Sequence, residues 1–238
     1  MNKRNFTAKD YIETYFSIVN SHRDKVPFIF NNIQLKLFSA ITKNSLILKA
    51  RKMGVSSEIL ALWLVACLTE QNTRAVVISH ERGATERLLE RVYYYLDNLP
   101  LKPNLKIERR DEISFPDTNS SFWIGTAGSR AFGRGDDITH LHISELDWWE
   151  DTSNLTGVLE ACTQDAWKVI ETTANGVSSA FGKLWSRAKD GETDFSYHFF
   201  AWFENPEYCR QIDDINHFIL THEENLLKNQ FNLSNEQL

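Results

Sequence analysis

The sequence predicts an α/β protein in which a mostly parallel sheet is sandwiched by helices. Short apolar segments alternate with longer helical patterns along the chain, and several of these segments are apolar throughout. Strands that are apolar on both faces are typical of a parallel sheet covered by helices on both sides. The 238 residues suffice for one large domain, and neither an internal repeat nor a linker divides them.

In the N-terminal half, apolar residues at helical spacing predict a helix over 5–24, which Pro27 ends, and a second helix from about Asn32. The elements predicted after these are, in order, a short apolar strand at 45–49, a buried helix at 56–71, a buried strand at 74–80, a charged amphipathic helix at 81–98 and a loop marked by Pro100 and Pro103.

The C-terminal half continues the alternation. Segments 106–116 and 120–127 are predicted to form paired strands with a turn between them, and 128–137 a glycine-rich loop. The tail ends in LSNEQL, where Ser234 is a candidate helix cap, so the natural protein continues there or the tail is frayed. The remaining predicted elements are strands at 139–144, 167–172 and 196–203 and a final helix at 216–228.

Composition and charge exclude several classes of protein. Hydrophobic residues make up 42% of the chain and charged residues 24%, as in ordinary globular proteins. No apolar run reaches the length of a membrane span, about 20 residues. The N-terminal segment lacks the apolar region of a secretory signal. Cys67, Cys162 and Cys209 are widely spaced, which favours reduced thiols over disulfides or a zinc site. The net charge of −6 gives no general attraction to DNA phosphates.

A candidate phosphate-binding loop lies between the predicted strand and the buried helix. The usual pattern is G-x-x-x-x-G-K-[ST], but here Lys49 stands at the first glycine and Val55 at the lysine. The cation is thus moved to the other end of the loop, while Ser56 is placed to bind Mg²⁺ through its hydroxyl. The alternative is an ordinary basic loop in which Ser56 or Ser57 caps the helix. The predicted nucleotide-binding residues of the loop are Lys49, Ala50, Arg51, Lys52, Met53, Gly54, Val55, Ser56 and Ser57.

A second candidate site follows the strand at 139–144. In phosphate-loop enzymes a strand-end Asp supports Mg²⁺ and the next Glu orients the attacking water. Ser144 replaces the Asp here; it would hold a Mg²⁺-bound water without contributing charge, and Glu145 is the predicted general base. The alternative is that these residues belong to a solvated acidic helix start.

Polar groups also follow the strand at 167–172, where doubly wound sheets bind their ligands. Thr172, Thr173, Asn175 and Gly176 are predicted to contact the γ-phosphate or its water and to couple its loss to motion; a simple turn at Asn-Gly is the alternative.

Three further side chains are candidates for nucleotide contacts. Arg130 and Arg134 lie on the glycine-rich loop, from which an arginine would reach the phosphates of a neighbouring subunit. Gln34 lies about 15 residues before Lys49, and its amide offers the donor and acceptor that an adenine edge requires. Each residue taken alone has the alternative of an ordinary surface position.

The order of these motifs resembles the N-terminal ATPase domain of the large terminase subunit of tailed double-stranded DNA phages. The match covers about residues 25–235. It lies in a Walker A loop with a displaced lysine (49–57), the next strand and helix (74–92), the stretch from the Arg-Gly loop through Walker B (122–151), the coupling motif IETTANG (170–176) and the segment AWFENPEY (201–208).

This resemblance implies a P-loop NTPase fold of the ASCE, RecA-like type and an ATP hydrolase that uses ATP and Mg²⁺. Lys49 and Arg51 would contact phosphates, and Arg134 would be the finger acting in trans, ahead of Arg130, because it belongs to the Arg-Gly pair. The implied organisation is a single ATPase domain over 1–238, with N-terminal helices and an adenine-contacting segment at 1–44, the core at 45–205 and a helical segment at 206–238 leading to an absent nuclease domain.

The resemblance also implies partners and a location. The motor would work as a ring on the portal protein, receive double-stranded DNA from the small terminase subunit and drive it into the procapsid. The isolated chain is expected to be a monomer that binds double-stranded DNA weakly and lacks nuclease activity. It would reside in the host cytoplasm and transiently at the portal vertex of the procapsid, and would be absent from the mature virion.

Three other functions remain open at this point. A superfamily 2 helicase-like, DNA-dependent ATPase would need a second RecA-like domain. A nucleotide-binding assembly protein without turnover is kept open by Ser144. A metal nuclease would not need the loop at Lys49, although the chain has acids that suggest one: Asp136, Asp137, Glu145, Asp147, Glu150 and Asp151.

Overall fold

The computed structural model describes residues 6–109, 111–128, 137–212 and 218–238. Its strands are β1 (Ser17–Val19), β2 (Lys25–Pro27), β3 (Asn44–Lys49), β4 (Arg74–Ser79), β5 (Lys106–Arg109), β6 (Glu112–Phe115), β7 (Ser120–Thr126), β8 (Ile138–Ser144), β9 (Cys162–Thr172) and β10 (Ser196–Phe200). Its α-helices are α1 (Ala8–Tyr15), α2 (Asn32–Ala40), α3 (Val55–Thr69), α4 (Arg82–Asp97), α5 (Leu155–Glu160), α6 (Ala180–Lys189) and α7 (His222–Phe231).

Eight strands form the central sheet in the order β10-β3-β9-β8-β4-β7-β6-β5. The pairs from β10 to β7 are all parallel, whereas β6 and β5 continue the sheet as antiparallel strands. The mostly parallel α/β fold predicted from the sequence is therefore confirmed. Because parallel strands end at the same edge, the carboxyl ends of β3, β8 and β9 meet there.

Two apolar clusters cover the two faces of the sheet. One contains most of α3 together with apolar residues of α1, α2 and α4, and the other contains residues of α5 and α6. The predicted burial of α3 is confirmed: Ile59, Leu60 and Leu64 are fully buried, each contributing about 1.5–3 kcal/mol to folding. No helix in the described ranges is long and apolar enough to cross a membrane.

The N-terminal helix is shorter than predicted. A capping box between Thr7 and Asp10 begins α1, but the segment predicted to continue it instead forms the β1–β2 hairpin. The Asn20 side chain accepts hydrogen bonds from the backbone N–H groups of His22 and Asp24 and so stabilises the turn of this hairpin. Ile18 and Val19 match a helical period by coincidence, because three-residue strands are too short to show their own alternation.

The C-terminal predictions also need correction. The helix predicted at 216–228 is α7, which begins later, at a capping box formed by Thr221 and Glu224, and ends at Phe231. Residues 216 and 217 of the predicted range lie outside the described residues. Ser234 does form a capping box with Gln237, as the sequence pattern suggested, but the element it caps is a single 3₁₀ turn, Asn235–Gln237.

Candidate active site

The predicted phosphate loop connects β3 to α3 through a tight turn. Gly54 precedes the helix with φ of +82°, and Lys52 also has a positive φ of 54°. Glycine accepts this conformation without strain because it has no Cβ. Within the described structure no side chain caps α3, so its first N–H groups remain available to an anion such as phosphate.

Neither serine of the loop acts as the helix cap, so the capping role that the alternative gave them is wrong. Ser56 and Ser57 lie inside the first turn of α3, since Gly54 occupies the capping position. The Ser56 hydroxyl instead donates a hydrogen bond of 2.6 Å to Oε1 of Glu171.

The displaced lysine lies between two carboxylates. Nζ of Lys49 is 2.6 Å from Oε1 of Glu145 and 3.0 Å from Oε2 of Glu171, and its side chain is only 6% exposed. Burial would lower the pKa of Lys49, but the two carboxylates outweigh burial and raise it. The ammonium is therefore charged, and it holds together the ends of β3, β8 and β9.

Glu171 is an acidic residue of this site that the sequence analysis missed. It is fully buried on β9, and its Oε1 accepts hydrogen bonds from Ser56 and from Oγ of Ser144, the latter at 2.9 Å. Burial opposes its ionisation, yet the charge of Lys49 and contacts with His142 and Ser56 hold its pKa well below the usual range. A lone acid inside the apolar segment VIETT is the signal that would have found it.

Glu145, the predicted general base, has a left-handed backbone with φ of 55°. This conformation is uncommon for a residue other than glycine and clusters at functional sites. Its Oε1 accepts a hydrogen bond from Lys49, and its Oε2 accepts bonds from the backbone N–H and the hydroxyl of Thr173 at 2.8 and 3.0 Å. The predicted base is thus in direct contact with a residue of the predicted coupling segment.

The coupling segment is tied to the turn after Glu145. The backbone N–H of Asp147 donates to Oγ1 of Thr172 at 3.2 Å, and the side-chain amide of Asn175 donates to the carbonyl of Asp147 at 3.0 Å. The carboxylate of Asp147 also accepts from the backbone N–H of Phe181 in α6. Gly176 has φ of +108° and continues the turn towards α6.

Gln34 packs against the phosphate loop from α2. It is 3% exposed, its Nε2 donates to the carbonyl of Gly54 at 2.9 Å, and its Oε1 accepts from the N–H of Asn31 at 2.9 Å. The Nδ2 of Asn31 reaches the carbonyl of Met53 at 3.3 Å. One N–H and one lone pair of the Gln34 amide remain for a ligand, because each end of an amide can make two hydrogen bonds.

An elongated depression runs along these residues. A cavity of about 600 Å³ is lined by the loop, Glu145 and Thr173, and a groove of about 680 Å³ leads from it to Gln34 and the β1–β2 hairpin. Both also include Arg87 and Arg91 of α4, two cations that the sequence analysis missed. Their combined size and charge suit a nucleotide with its phosphates at the loop.

The other predicted loop residues play different parts. Met53 and Val55 are buried in the core, and the backbone N–H of Ala50 donates to Phe200 of β10, so these three shape the loop. Arg51 lies over the ring of Trp148 at 5.9 Å. Arg130 and Arg134, the candidate fingers, lie outside the described residues.

Together the fold and the site define an α/β domain of the P-loop type, with a mostly parallel sheet and a tight turn between β3 and the N-terminus of α3. The fold is shared with phage large terminases, which confirms at the level of the fold the resemblance stated from the motifs. The HK97 bacteriophage large terminase matches with a TM-score of 0.67 and 14% identity, over 97% of this chain and 48% of its own.

Two further phage structures extend this comparison. The Thermus phage P74-26 large terminase ATPase domain matches with a TM-score of 0.58 and 16% identity, over 73% of this chain and 82% of its own. A second large terminase, from a thermophilic bacteriophage and in complex with ATP-γ-S, matches with a TM-score of 0.55 and 16% identity, over 85% of this chain and 48% of its own.

Sequence comparison adds no relative. No model of a protein family matches this chain, and neither does any curated protein. At 14–16% identity the structural matches show the fold. The chain spans about half the length of the HK97 large terminase and of the large terminase in complex with ATP-γ-S, of which it covers 48% each.

Proposed function

We propose that this chain is the ATPase motor domain of a viral DNA-packaging terminase, which hydrolyses ATP to drive double-stranded DNA into a procapsid. The observation that carries the proposal is the cluster of Lys49, Glu145 and Ser56 at the carboxyl edge of the sheet, beside a helix N-terminus. The shared fold with large terminases, one of them in complex with ATP-γ-S, supports the same conclusion.

The donor set of the site fits Mg²⁺. The Ser56 hydroxyl lies at the phosphate loop with the Glu171 carboxylate behind it, and hard oxygen donors of this kind are those Mg²⁺ prefers. When bound, the ion would neutralise charge on the β- and γ-phosphates. Ser56 would hold it directly, and Ser144, whose hydroxyl is bonded to Glu171, would act through water.

Lys49 has a second task in this arrangement. It now neutralises Glu145. A polyphosphate in the cavity carries several negative charges and would compete with Glu145 for the Lys49 ammonium. As Lys49 turns to the phosphates, Oε1 of Glu145 becomes able to accept a proton from the attacking water. Nucleotide binding thus prepares the base for catalysis.

Hydrolysis would be coupled to motion through Glu145 and its neighbours. When the Glu145 carboxylate moves, its hydrogen bond with the backbone N–H of Thr173 moves that residue as well. The turn that contains Asp147 is bonded to the backbone N–H of Phe181, so its movement also displaces the start of α6. This route gives the segment from Thr172 to Gly176 its role in coupling. The adenine would lie in the groove at Gln34.

The partners and location follow from the same proposal. The domain works as a ring on the portal protein with Arg134, or else Arg130, as the finger in trans, and it receives DNA from the small terminase subunit. It is active in the host cytoplasm, at the portal vertex of the procapsid. With a net charge of −6, this domain alone binds double-stranded DNA weakly.

Calorimetric titration with ATP-γ-S and Mg²⁺ tests the nucleotide site. We expect wild-type protein to bind, Lys49→Ala to lose measurable binding, and Glu145→Gln to bind normally while its ATP turnover falls by about 10²–10⁴-fold. Lys43→Ala is the matched control, because Lys43 is an exposed lysine directly before the same strand and forms an ion pair only with Asp165 among the described residues. Wild-type protein that ignores the nucleotide, or a folded Lys49→Ala variant that binds normally, would overturn the proposal.

A further inference from the structure

A carboxylate stands beside the position where the strand-end acid is absent. β8 and β9 are parallel neighbours, and their register places Ser144 opposite Glu171. The Ser144 hydroxyl donates to Oε1 of Glu171 at 2.9 Å. The charge missing from β8 therefore lies one strand away, at the same level of the sheet.

The same carboxylate also accepts a hydrogen bond from the Ser56 hydroxyl, which is predicted to bind the metal. Oε1 of Glu171 accepts the Ser56 hydrogen bond at 2.6 Å. A hydroxyl that donates its proton in this way keeps its lone pairs for a metal ion. Carboxylates placed behind a metal ligand commonly orient that ligand and tune the site.

The second oxygen of Glu171 is less engaged. Oε2 receives no aligned hydrogen bond from the described residues and has only the Lys49 ammonium 3.0 Å away. If Lys49 moves to a phosphate, this buried oxygen faces the site with its charge uncompensated. It then lacks a partner that a cation or its water would supply.

Stability alone does not account for an ionised glutamate at this place. Buried ion pairs often contribute less to folding than apolar residues of similar size, and the neighbours Val169 and Ile170 are apolar and fully buried. Glu58 is the matched comparison: it is also fully buried, but neither of its oxygens has a hydrogen-bond partner among the described residues. Glu171 differs by its contacts to Ser56, Ser144 and Lys49, which belong to the site, and by His142 of β8, whose Nε2 lies 3.5 Å from its Oε1.

We propose that Glu171 supplies from β9 the carboxylate that Ser144 does not supply from β8, as the positioning residue that orients Ser56 towards Mg²⁺ and gives the metal site its negative charge. This inference rests on the proposed nucleotide function. It explains how a site with serine at position 144 retains a metal-supporting acid.

The test compares ATP-γ-S affinity in Mg²⁺ and in EDTA, measured by calorimetry. We expect the ratio of the two affinities to fall by about 10–100-fold in Glu171→Gln, without a loss of affinity in EDTA. Glu58→Gln, the control at an equally buried glutamate, keeps the wild-type ratio. The double variant Ser144→Asp/Glu171→Gln returns the acid to β8 and restores the ratio, which a purely structural role of Glu171 does not predict.

The outcomes separate the two proposals. A wild-type protein that binds no nucleotide in either buffer overturns the proposed function and this inference with it. Mg²⁺-enhanced binding that is the same in wild type and Glu171→Gln overturns this inference alone. If thermal melting shows that Glu171→Gln does not fold, the double variant decides: a restored ratio supports the inference, and a folded double variant without Mg²⁺ enhancement overturns it.

Discussion

At the scale of single residues, two buried glutamates differ in charge, one neutral and the other ionised, because their surroundings differ. Glu171 faces Lys49, which holds its pKa low. Glu58, in the first turn of α3, has no charged or hydrogen-bonding partner in the described structure, and burial raises its pKa from the ordinary 4.5 to about 9. Glu58 is therefore neutral at pH 7, whereas Glu171 is ionised.

The neutral state of Glu58 predicts a pH-dependent stability. Between pH 4.5 and about 9 the folded protein keeps a proton that the unfolded chain has released, so the free energy of unfolding falls as pH rises. Glu58→Gln removes this loss, and its stability relative to wild type should increase by roughly 3 kcal/mol from pH 5 to pH 7. Urea denaturation at both pH values measures it; a difference that does not change with pH would contradict the assignment.

At the scale of elements, the phosphate loop depends on α2. At the N-terminus of that helix, the side-chain amide of Asn31 donates to the carbonyl of Met53, and that of Gln34 donates to the carbonyl of Gly54. A Cβ built on Gly54 would lie 2.7 Å from Nε2 of Gln34, in addition to the strain of a positive φ. The contact between α2 and the loop therefore requires glycine at this position.

Substitution of Gly54 by alanine should damage the site more than the fold. We expect Gly54→Ala to cost about 1–2 kcal/mol in stability and to weaken ATP-γ-S binding, because the loop must change shape. In Gly157→Ala, the control inside α5, the new Cβ meets no described atom within 4 Å, so stability should rise by about 0.5–1 kcal/mol and binding should not change. Melting temperature and calorimetry measure both; equal behaviour of the two variants would refute the requirement.

At the scale of the whole molecule, the parallel sheet collects the site at one edge. Lys49, Glu145 and Glu171 belong to the ends of three adjacent strands, and the ion pairs join residues far apart in the chain (Lys49 and Glu145 are 96 positions apart). The cavity opens to solvent beside α4. A neighbouring subunit would therefore have access to the phosphates of a nucleotide bound there. A finger acting in trans is compatible with this geometry.

A trans finger predicts that activity depends on assembly. ATP turnover per subunit should rise with protein concentration, and Arg134→Ala should lower the assembled rate by roughly 10³-fold, because the transition state loses a cation. Arg82→Ala is the control, since Arg82 is an exposed arginine of α4 that pairs with Glu86. Phosphate release measured over a wide concentration range decides; a constant rate per subunit that Arg134→Ala does not change would exclude the finger.

Much of this protein follows from the sequence by itself. The alternation of strands and helices in the parallel part of the sheet, the tight turn between β3 and α3 and the location of Glu145 directly after β8 were predicted correctly, because each depends on residues close together in the chain. The strand predicted over 106–116 is instead two strands, β5 and β6. Apolar runs of strand length, a glycine before a helix and polar residues after a strand are local patterns. They report local backbone structure directly.

Only the tertiary structure decided how the site is completed. The β1–β2 hairpin, the cations Arg87 and Arg91, and above all Glu171 were missed, although every one of them was present in the sequence. The role of Glu171 depends on its hydrogen bond with Ser56, which is 115 residues away, and on the strand order that makes β8 and β9 neighbours. A lone acid in an apolar segment marks Glu171 as unusual, but its role depends on partners across the sheet. Pairing of distant strands is set by the packing of the whole core, so that role cannot be assigned from the segment alone.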